Sequence, residues 1–104
     1  MGELCKKSNA IFHADTVQTV GHFSIDLTNT HVDFITGAGH KFHGPKGVGI
    51  LYISQRNKIN PFIHGGGQER NMRAGTENIY GIIGFSKALE IANQAHEKDS
   101  AYIL

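Results

Sequence analysis

The apolar positions of the chain fall into three short runs and one long periodic segment. The runs span residues 10–13, 32–36 and 47–53, and their β-branched and aromatic residues predict three strands. The third run is nearly continuous in apolar residues, which is typical of a strand covered on both faces. Residues 2–8 are expected to form the last turns of a helix that ends at Ser8 and Asn9.

A long helix is predicted over residues 76–98. Thr76 or Asn78 is the expected N-cap. One helical face carries most of the apolar residues of this segment, namely Ile79, Ile82, Ile83, Ala88, Leu89, Ala92 and Ala95. The order strand, loop, strand, strand, loop, helix predicts part of an α/β layer. Because one helix cannot cover both faces of three apolar strands, we interpret residues 1–104 as part of one larger domain, with burial by a partner as the alternative.

Composition and charge exclude several function classes. Ten Lys and Arg against nine Asp and Glu give a net charge of +1, which provides no electrostatic basis for binding nucleic acid or a membrane surface. No apolar run is long enough to span a membrane, and the N-terminus does not resemble a secretory leader. Cys5, the single cysteine, excludes an intrachain disulfide and a Cys-only zinc site. We therefore expect a cytoplasmic protein, with Cys5 buried or half-buried on a helix.

Glycine is concentrated in two loops, at residues 37–47 and 64–76, each of which holds four of the 13 glycines. Such loops bring backbone close to a ligand or hold unusual dihedral angles. The first loop is not a Walker A motif, because Pro45 and Lys46 stand where lysine and serine or threonine are required. It is not a dinucleotide-binding loop either, because Phe42 stands where the third glycine is needed.

The histidines indicate a metal site only weakly. His40 and His43 have possible ligand spacing, and so do His13 and Asp15. In a strand or loop, however, such spacing does not fix a coordination geometry. We therefore favour hydrogen-bonding histidines over metal ligands.

Lys41 is the candidate nucleophile. It lies beside His40 in the glycine-rich loop that directly follows a predicted strand, and Asp15 lies at the end of another strand. A lysine held away from water can act as an amine nucleophile or form a Schiff base, and a carboxylate can pair with a pyridinium nitrogen, as in pyridoxal phosphate sites. From these residues alone, an ordinary surface lysine in a flexible loop is the more frequent alternative.

Three strings nevertheless resemble those of cysteine desulfurases of the NifS/IscS type, in the class V aminotransferase group. They are HADTVQ at 13–18, GHKFHGPKGVG at 39–49 and HGGGQERNMRAGT at 64–76. The resemblance extends over about residues 2–95. It implies an α/β fold, as part of the large pyridoxal phosphate-binding domain of a fold-type I transferase. It also implies a homodimer that converts L-cysteine to L-alanine and passes persulfide sulfur to an acceptor or scaffold protein, for iron–sulfur cluster assembly and other sulfur transfer.

The resemblance also implies roles for particular residues around the cofactor ring. Lys41 would hold pyridoxal phosphate covalently and act as acid and base, with His40 assisting proton transfer. Asp15 would pair with the pyridinium nitrogen and keep the ring protonated. Gln18 would donate a hydrogen bond to the phenolic oxygen.

Further residues are implied at the phosphate. His40 and Ala38 would lie beside it, and Thr76 would reach the phosphate of the partner subunit's cofactor. Many relatives have serine where this chain has Ala38, which can offer only its main-chain N–H. Arg70 and Arg73 would lie near the dimer surface, or else form a solvated loop with Glu69 and Glu77 as counter-charges.

The persulfide-forming cysteine of the family lies C-terminal to the second glycine loop, so Cys5 is not expected to take that role. We therefore expect the 104-residue chain alone to have no desulfurase activity. Two alternatives stay open. The first is a non-catalytic module that binds pyridoxal phosphate or another chain. The second is a related class V enzyme, such as an aminotransferase or a selenocysteine lyase.

Overall fold

Three strands and four helical segments form a thin layer in the computed structural model, which describes residues 1–103. The layer measures 45 × 41 × 17 Å. In chain order its elements are helix α1 (Gly2–Lys7), strand β1 (His13–Asp15), strand β2 (Phe34–Ala38), a 3-10 helix (Gly39–Phe42), strand β3 (Gly49–Ile53), the helical turn α2 (Gln68–Asn71) and helix α3 (Ile79–Ile103). The predicted α/β order of elements is therefore confirmed.

The sheet has the order β1-β2-β3 and mixes two strand directions. Strand β1 pairs with β2 in parallel, with Asp15 opposite Thr36. Strand β3 pairs with β2 in the antiparallel sense, with Gly49 opposite Ala38. The parallel pair therefore places the carboxyl ends of β1 and β2 at the same edge of the sheet. We call this the site edge.

The first two strands lie two to three residues later than the sequence predicted. Asp33, in the second run, contacts Phe12, in the first, because its Oδ2 accepts a hydrogen bond from the Phe12 N–H at 2.8 Å. A side chain therefore satisfies this backbone donor, and regular pairing starts only at His13 and Phe34. The third run is not covered on both faces within residues 1–103, because Ile50 and Leu51 are exposed, so its coverage by a larger domain or a partner stays a prediction.

The core lies between the 3-10 helix and α3. Phe42 is only 2% exposed, and its ring meets that of Phe85 edge-on, with centroids 5.1 Å apart and planes at 80°. Val20 completes the buried cluster, against which five half-buried residues pack: Ile25, Val48, Ala88, Leu89 and Ala92. The apolar face predicted for the long helix is thus partly confirmed, since Ala88, Leu89 and Ala92 contact the core while Ile83 stays exposed.

Two glycines near the beginning of α3 are explained by close contacts that leave no room for a side chain. Asn78 is the N-cap, because its Oδ1 accepts the Gly81 N–H at 3.1 Å. A Cβ at Gly81 would lie 2.3 Å from that same amide side chain, and a Cβ at Gly84 would lie 2.6 Å from the Pro45 ring. The absence of side chains therefore lets α3 close its N-terminus and approach the loop that follows the 3-10 helix.

Much apolar surface stays uncovered in residues 1–103. The accessible surface is 8115 Å², whereas a compact protein of 11.4 kDa exposes about 5,800 Å². Phe62 and Tyr80 are 94% and 91% exposed. Such uncovered surface agrees with both interpretations given above, a larger domain or a partner chain.

A buried polar cluster closes the opposite edge of the sheet from the site edge. Asp33, 4% exposed, accepts hydrogen bonds from the Phe12 N–H and from the side chains of Arg56 and Asn57. The Ser54 N–H donates to the Asp33 carbonyl at 2.9 Å. These contacts join the start of β1, the start of β2 and the end of β3. The same donors, led by the Phe12 N–H, lower the pKa of Asp33 from its ordinary value of 3.8 to about 2.

We expect the Asp33 cluster to make stability depend on pH in the acid range. Because the folded-state pKa lies below the unfolded value, the unfolded chain binds more protons. The contribution is therefore complete above about pH 5 and is lost as the pH falls through 3.8 towards 2. Urea midpoints measured from pH 2 to pH 6 should show the advantage of wild type over Asp33→Asn shrinking across this window.

Asp26 provides the matched control for this experiment. Its pKa is also lowered to about 2, through hydrogen bonds from Thr28 and Asn29. These donors lie only two and three residues away on an exposed turn, so the same contacts also form in the unfolded chain and lower the pKa of Asp26 there. The pKa of Asp26 therefore differs less between the folded and unfolded chain than that of Asp33. Asp26→Asn should change the acid dependence much less than Asp33→Asn, and an equal effect of the two variants would contradict the role given to Asp33.

Candidate functional site

The site edge brings together most of the residues predicted from the sequence. Asp15 ends β1, and Ala38 ends β2. The 3-10 helix begins immediately after β2 and carries His40 and Lys41. Asp15 and His40 are exposed, whereas Lys41 is half-buried. A carboxylate, an imidazole and an amine therefore lie on the segments that meet at one edge of the sheet.

The turn after β1 is fastened to β2. The carbonyl of Thr36 accepts two hydrogen bonds from Thr16, one from its N–H at 3.1 Å and one from its hydroxyl at 2.7 Å. The Val17 N–H donates to Asp15 Oδ1 at 3.0 Å, which orients the carboxylate at the end of its strand. Gln18 follows on the same turn with its side chain exposed. The position of the Asp15 carboxylate is thus tied to the backbone of the neighbouring strand.

Packing and backbone hydrogen bonds hold the 3-10 helix in place. Its first residue, Gly39, donates its N–H to the Val48 carbonyl at 3.0 Å, and its own carbonyl accepts the Gly44 N–H at 2.9 Å. Gly21 has φ +84°, and a Cβ there would lie 2.6 Å from the Cβ of Phe42. Only glycine allows this contact, through which the turn after β1 and the 3-10 helix pack directly together.

One side chain at the site edge was missed in the sequence. The imidazole Nε2 of His22 lies 2.9 Å from the main-chain carbonyl oxygen of Lys41. The two residues are 19 positions apart, and such a separation produces no local spacing pattern. Only the fold brings them together.

No hydrogen bond or ion pair links the second glycine loop to the site edge within residues 1–103. Thr76 is exposed between α2 and α3. Arg70 and Arg73 are exposed as well, and neither forms an ion pair with Glu69 or Glu77 in the part of the chain that the structure describes. The two arginines are therefore solvated without direct ion pairs, whereas their place near a dimer surface and the role of Thr76 at a partner's cofactor stay predictions.

The backbone of this loop is strained at residues other than its glycines. Glu69, Arg70 and Asn71 have φ of 47°, 57° and 64°. A left-handed conformation costs a residue with a side chain roughly 1–2 kcal/mol. Gln68 closes the loop, because its Oε1 accepts the Gly75 N–H at 3.1 Å. The glycine content predicted unusual dihedral angles here, and three consecutive non-glycine residues adopt them too.

Metal and membrane features are absent from residues 1–103. No group of three or more histidine, cysteine, aspartate or glutamate side chains is placed to hold a metal ion there. None of the helices described is both long and apolar enough to cross a bilayer. Cys5 is half-buried on α1, as predicted.

Comparison with known proteins extends the resemblance noted in the sequence. Residues 1–102 match the family described as Aminotransferase class-V. Over 92 residues the chain is 54% identical to the Cysteine desulfurase IscS of Clostridium botulinum, covering 88% of this chain and 23% of that protein. The chain spans about a quarter of the length of the curated relatives it matches.

Solved structures give the same result. The X-ray structure of a NifS-like protein from Rickettsia africae superimposes with a TM-score of 0.89 at 39% identity, over 93% of this chain and 27% of that one. A structure described as SspA in complex with cysteine superimposes with a TM-score of 0.80 at 38% identity, over 86% of this chain and 26% of that one. The strand order, the placement of Lys41 after β2 and these similarities lead to one conclusion: the chain belongs to the class-V aminotransferase family.

Proposed function

We propose that this chain supplies the cofactor-binding edge of a pyridoxal phosphate-dependent cysteine desulfurase. The parallel pairing of β1 with β2 is the observation that carries the proposal. It puts the strand that ends at Asp15 beside the strand that leads into Lys41. Open α/β sheets bind ligands at the carboxyl ends of their strands, where these two residues lie.

The chemistry of the residues at the site edge fits pyridoxal phosphate. The cofactor needs an amine for its aldehyde, a carboxylate for its ring nitrogen and donors for its oxygens. Lys41 offers the amine and Asp15 the carboxylate. Gln18 offers an amide N–H₂ to the phenolic oxygen, and His40 offers a ring nitrogen to the phosphate. Ala38 has no hydroxyl, so its contribution to the phosphate is limited to the main chain.

Each residue then has a defined task. When bound, the cofactor supplies an electron-withdrawing ring that stabilises negative charge at the α-carbon of an amino-acid substrate. The Asp15 carboxylate holds a proton on the ring nitrogen, and the hydrogen bond from Val17 fixes the direction from which it does so. Lys41 Nζ binds the cofactor and moves protons at the substrate, with His40 beside it.

L-Cysteine is the substrate we propose, with alanine and persulfide sulfur as products. The names of the desulfurase relatives support this choice, and so does the similar structure described in complex with cysteine. We further propose that the complete protein forms a homodimer and passes sulfur to an acceptor or scaffold protein. We propose that it does so in the cytoplasm. Cys5 lies on α1 and not at the site edge, so we do not assign it the sulfur-accepting role.

A chimera tests the proposal directly. The aligned segment of the 54% identical clostridial relative is replaced by the matching 92 residues of this chain, and alanine formation from L-cysteine is measured. We expect activity within about tenfold of the parent, a cost of about 1.4 kcal/mol in the transition state. The same chimera with Lys41→Arg should be inactive.

The choice of substrates separates the alternatives. Selenocysteine and a series of other amino acids are assayed in parallel with cysteine. A chimera that folds and binds pyridoxal phosphate, yet forms alanine only from selenocysteine or transaminates other amino acids, would contradict the desulfurase proposal. A chimera that binds the cofactor and turns over none of them would favour the non-catalytic module.

A further inference from the structure

The C-terminal end of the 3-10 helix leaves the Lys41 carbonyl without a donor from the helix itself. The helix ends at Phe42, and the next residue, His43, has a left-handed φ of 66° and donates its N–H back to the Gly39 carbonyl. The Gly44 N–H donates to that same carbonyl at 2.9 Å. Backbone carbonyls in the last turn of a helix need donors from elsewhere. For Lys41 the donor is His22, at 2.9 Å.

The geometry also fixes where the proton of His22 lies. A carbonyl oxygen can only accept, so Nε2 of His22 must carry the hydrogen. The ring reaches Lys41 because Gly21, immediately before it, turns the chain at φ +84° and packs against Phe42. The packing of Gly21 against Phe42 and the hydrogen bond from His22 together connect the turn that follows Asp15 with the main chain of Lys41.

We propose that His22 is a positioning residue for the Lys41 amine. By holding the Lys41 carbonyl, it sets the direction in which the lysine side chain leaves the 3-10 helix relative to the Asp15 carboxylate. The inference deepens the proposed function and rests on it. His22 itself touches only the main chain of Lys41, so it acts through that residue.

Chemical labelling of the 104-residue chain provides the test. Pyridoxal phosphate is added and the adducts are fixed with borohydride. Peptide mass spectrometry then gives the ratio of label at Lys41 to label at Lys46, which is exposed in the following loop and serves as an internal standard. Wild type should give a ratio well above 1, although Lys41 is the more buried of the two. His22→Phe keeps a flat ring without the donor and should lower the ratio about fivefold, the order expected for one hydrogen bond.

Two further variants separate positioning from a general effect on stability. His22→Gln places an amide N–H₂ three bonds from Cβ, as Nε2 is in histidine, and should keep the ratio within about twofold of wild type. His96→Phe makes the same ring exchange on α3 and should leave the ratio unchanged. A residue that only stabilised the fold would lower the urea midpoint in His22→Phe and leave the ratio of the folded chain at its wild-type value.

The outcomes distinguish this inference from the proposed function. A wild-type ratio near 1 contradicts both. A high wild-type ratio that His22→Phe does not lower contradicts the role of His22 alone, and so does an equal loss in His22→Phe and His96→Phe. The ¹⁵N shift of the His22 ring gives an independent measurement at a pH where the ring is neutral: a proton on Nε2 is expected, and a proton on Nδ1 would overturn the inference.

Discussion

Lys41→Arg is expected to abolish covalent attachment of pyridoxal phosphate at position 41, lowering the adduct at least about 100-fold. Arginine keeps the positive charge and much of the length of the side chain, but its guanidinium stays protonated and provides no amine nucleophile. Borohydride reduction followed by peptide mass spectrometry measures the adduct, and visible absorbance measures attachment before reduction.

Lys46→Arg is the matched control, because Lys46 lies in the next loop and its side chain is exposed. It should leave both the absorbance and the adduct at position 41 unchanged. If Lys41→Arg kept the wild-type absorbance, with the adduct on another lysine, the assignment of the amine would be wrong. Lys41→Arg and Lys46→Arg are also made in the chimera, to compare cofactor attachment with activity. Only Lys41→Arg should abolish alanine formation.

Local patterns were sufficient to predict the three strands, α1 and α3 in their order, but not the 3-10 helix or α2, which lie within the two predicted glycine loops. The periodic apolar positions predicted α3, and Asn78 was one of the two N-caps expected for it. The residues at the site edge were also within reach of the sequence. Asp15 and Lys41 each follow a predicted strand, and the strings around them provided the family resemblance. Asn78, Asp15 and Lys41 could be predicted because each lies within a few residues of a predicted strand, a predicted helix or a family string.

The features that were not predicted depend on contacts between residues that are distant in the sequence. Strand β1 begins at His13 because Asp33, 21 residues after Phe12, takes the Phe12 N–H that a ladder would otherwise pair. The bond from His22 to the Lys41 carbonyl likewise forms only once β1 and β2 are side by side. Neither contact produces a spacing that a sequence could show, since each depends on the parallel pairing of two strands.

The exposed faces of the sheet show a second limit of prediction from sequence, which concerns what covers an apolar strand. The apolar run at 47–53 predicted coverage on both faces, and its residues Ile50 and Leu51 are exposed in the described part of the chain. The sequence thus records that the strand needs covering but not which polypeptide covers it. The same holds for Thr76, whose predicted role requires a second subunit.

Phe42→Ala should have the largest effect on stability, and it should reach the site through the 3-10 helix. Phe42 is 2% exposed, packs edge-on against Phe85 and contacts the Gly21 backbone, so its removal leaves a cavity between the helix, the turn after β1 and α3. Truncating a buried phenylalanine to alanine costs about 3–5 kcal/mol. We expect a loss of this size in the free energy of unfolding, measured by urea denaturation followed by circular dichroism.

Because Phe42 adjoins Lys41, the variant should also lower the ratio of Lys41 to Lys46 labelling towards 1, under conditions where the chain is still folded. Phe62→Ala makes the same substitution at a side chain that is 94% exposed. It should change the free energy of unfolding by no more than about 0.5 kcal/mol and leave the ratio alone. If Phe42→Ala destabilised the chain and kept the wild-type ratio, the core would support the fold without holding the lysine, and the coupling between packing and the site edge would be wrong.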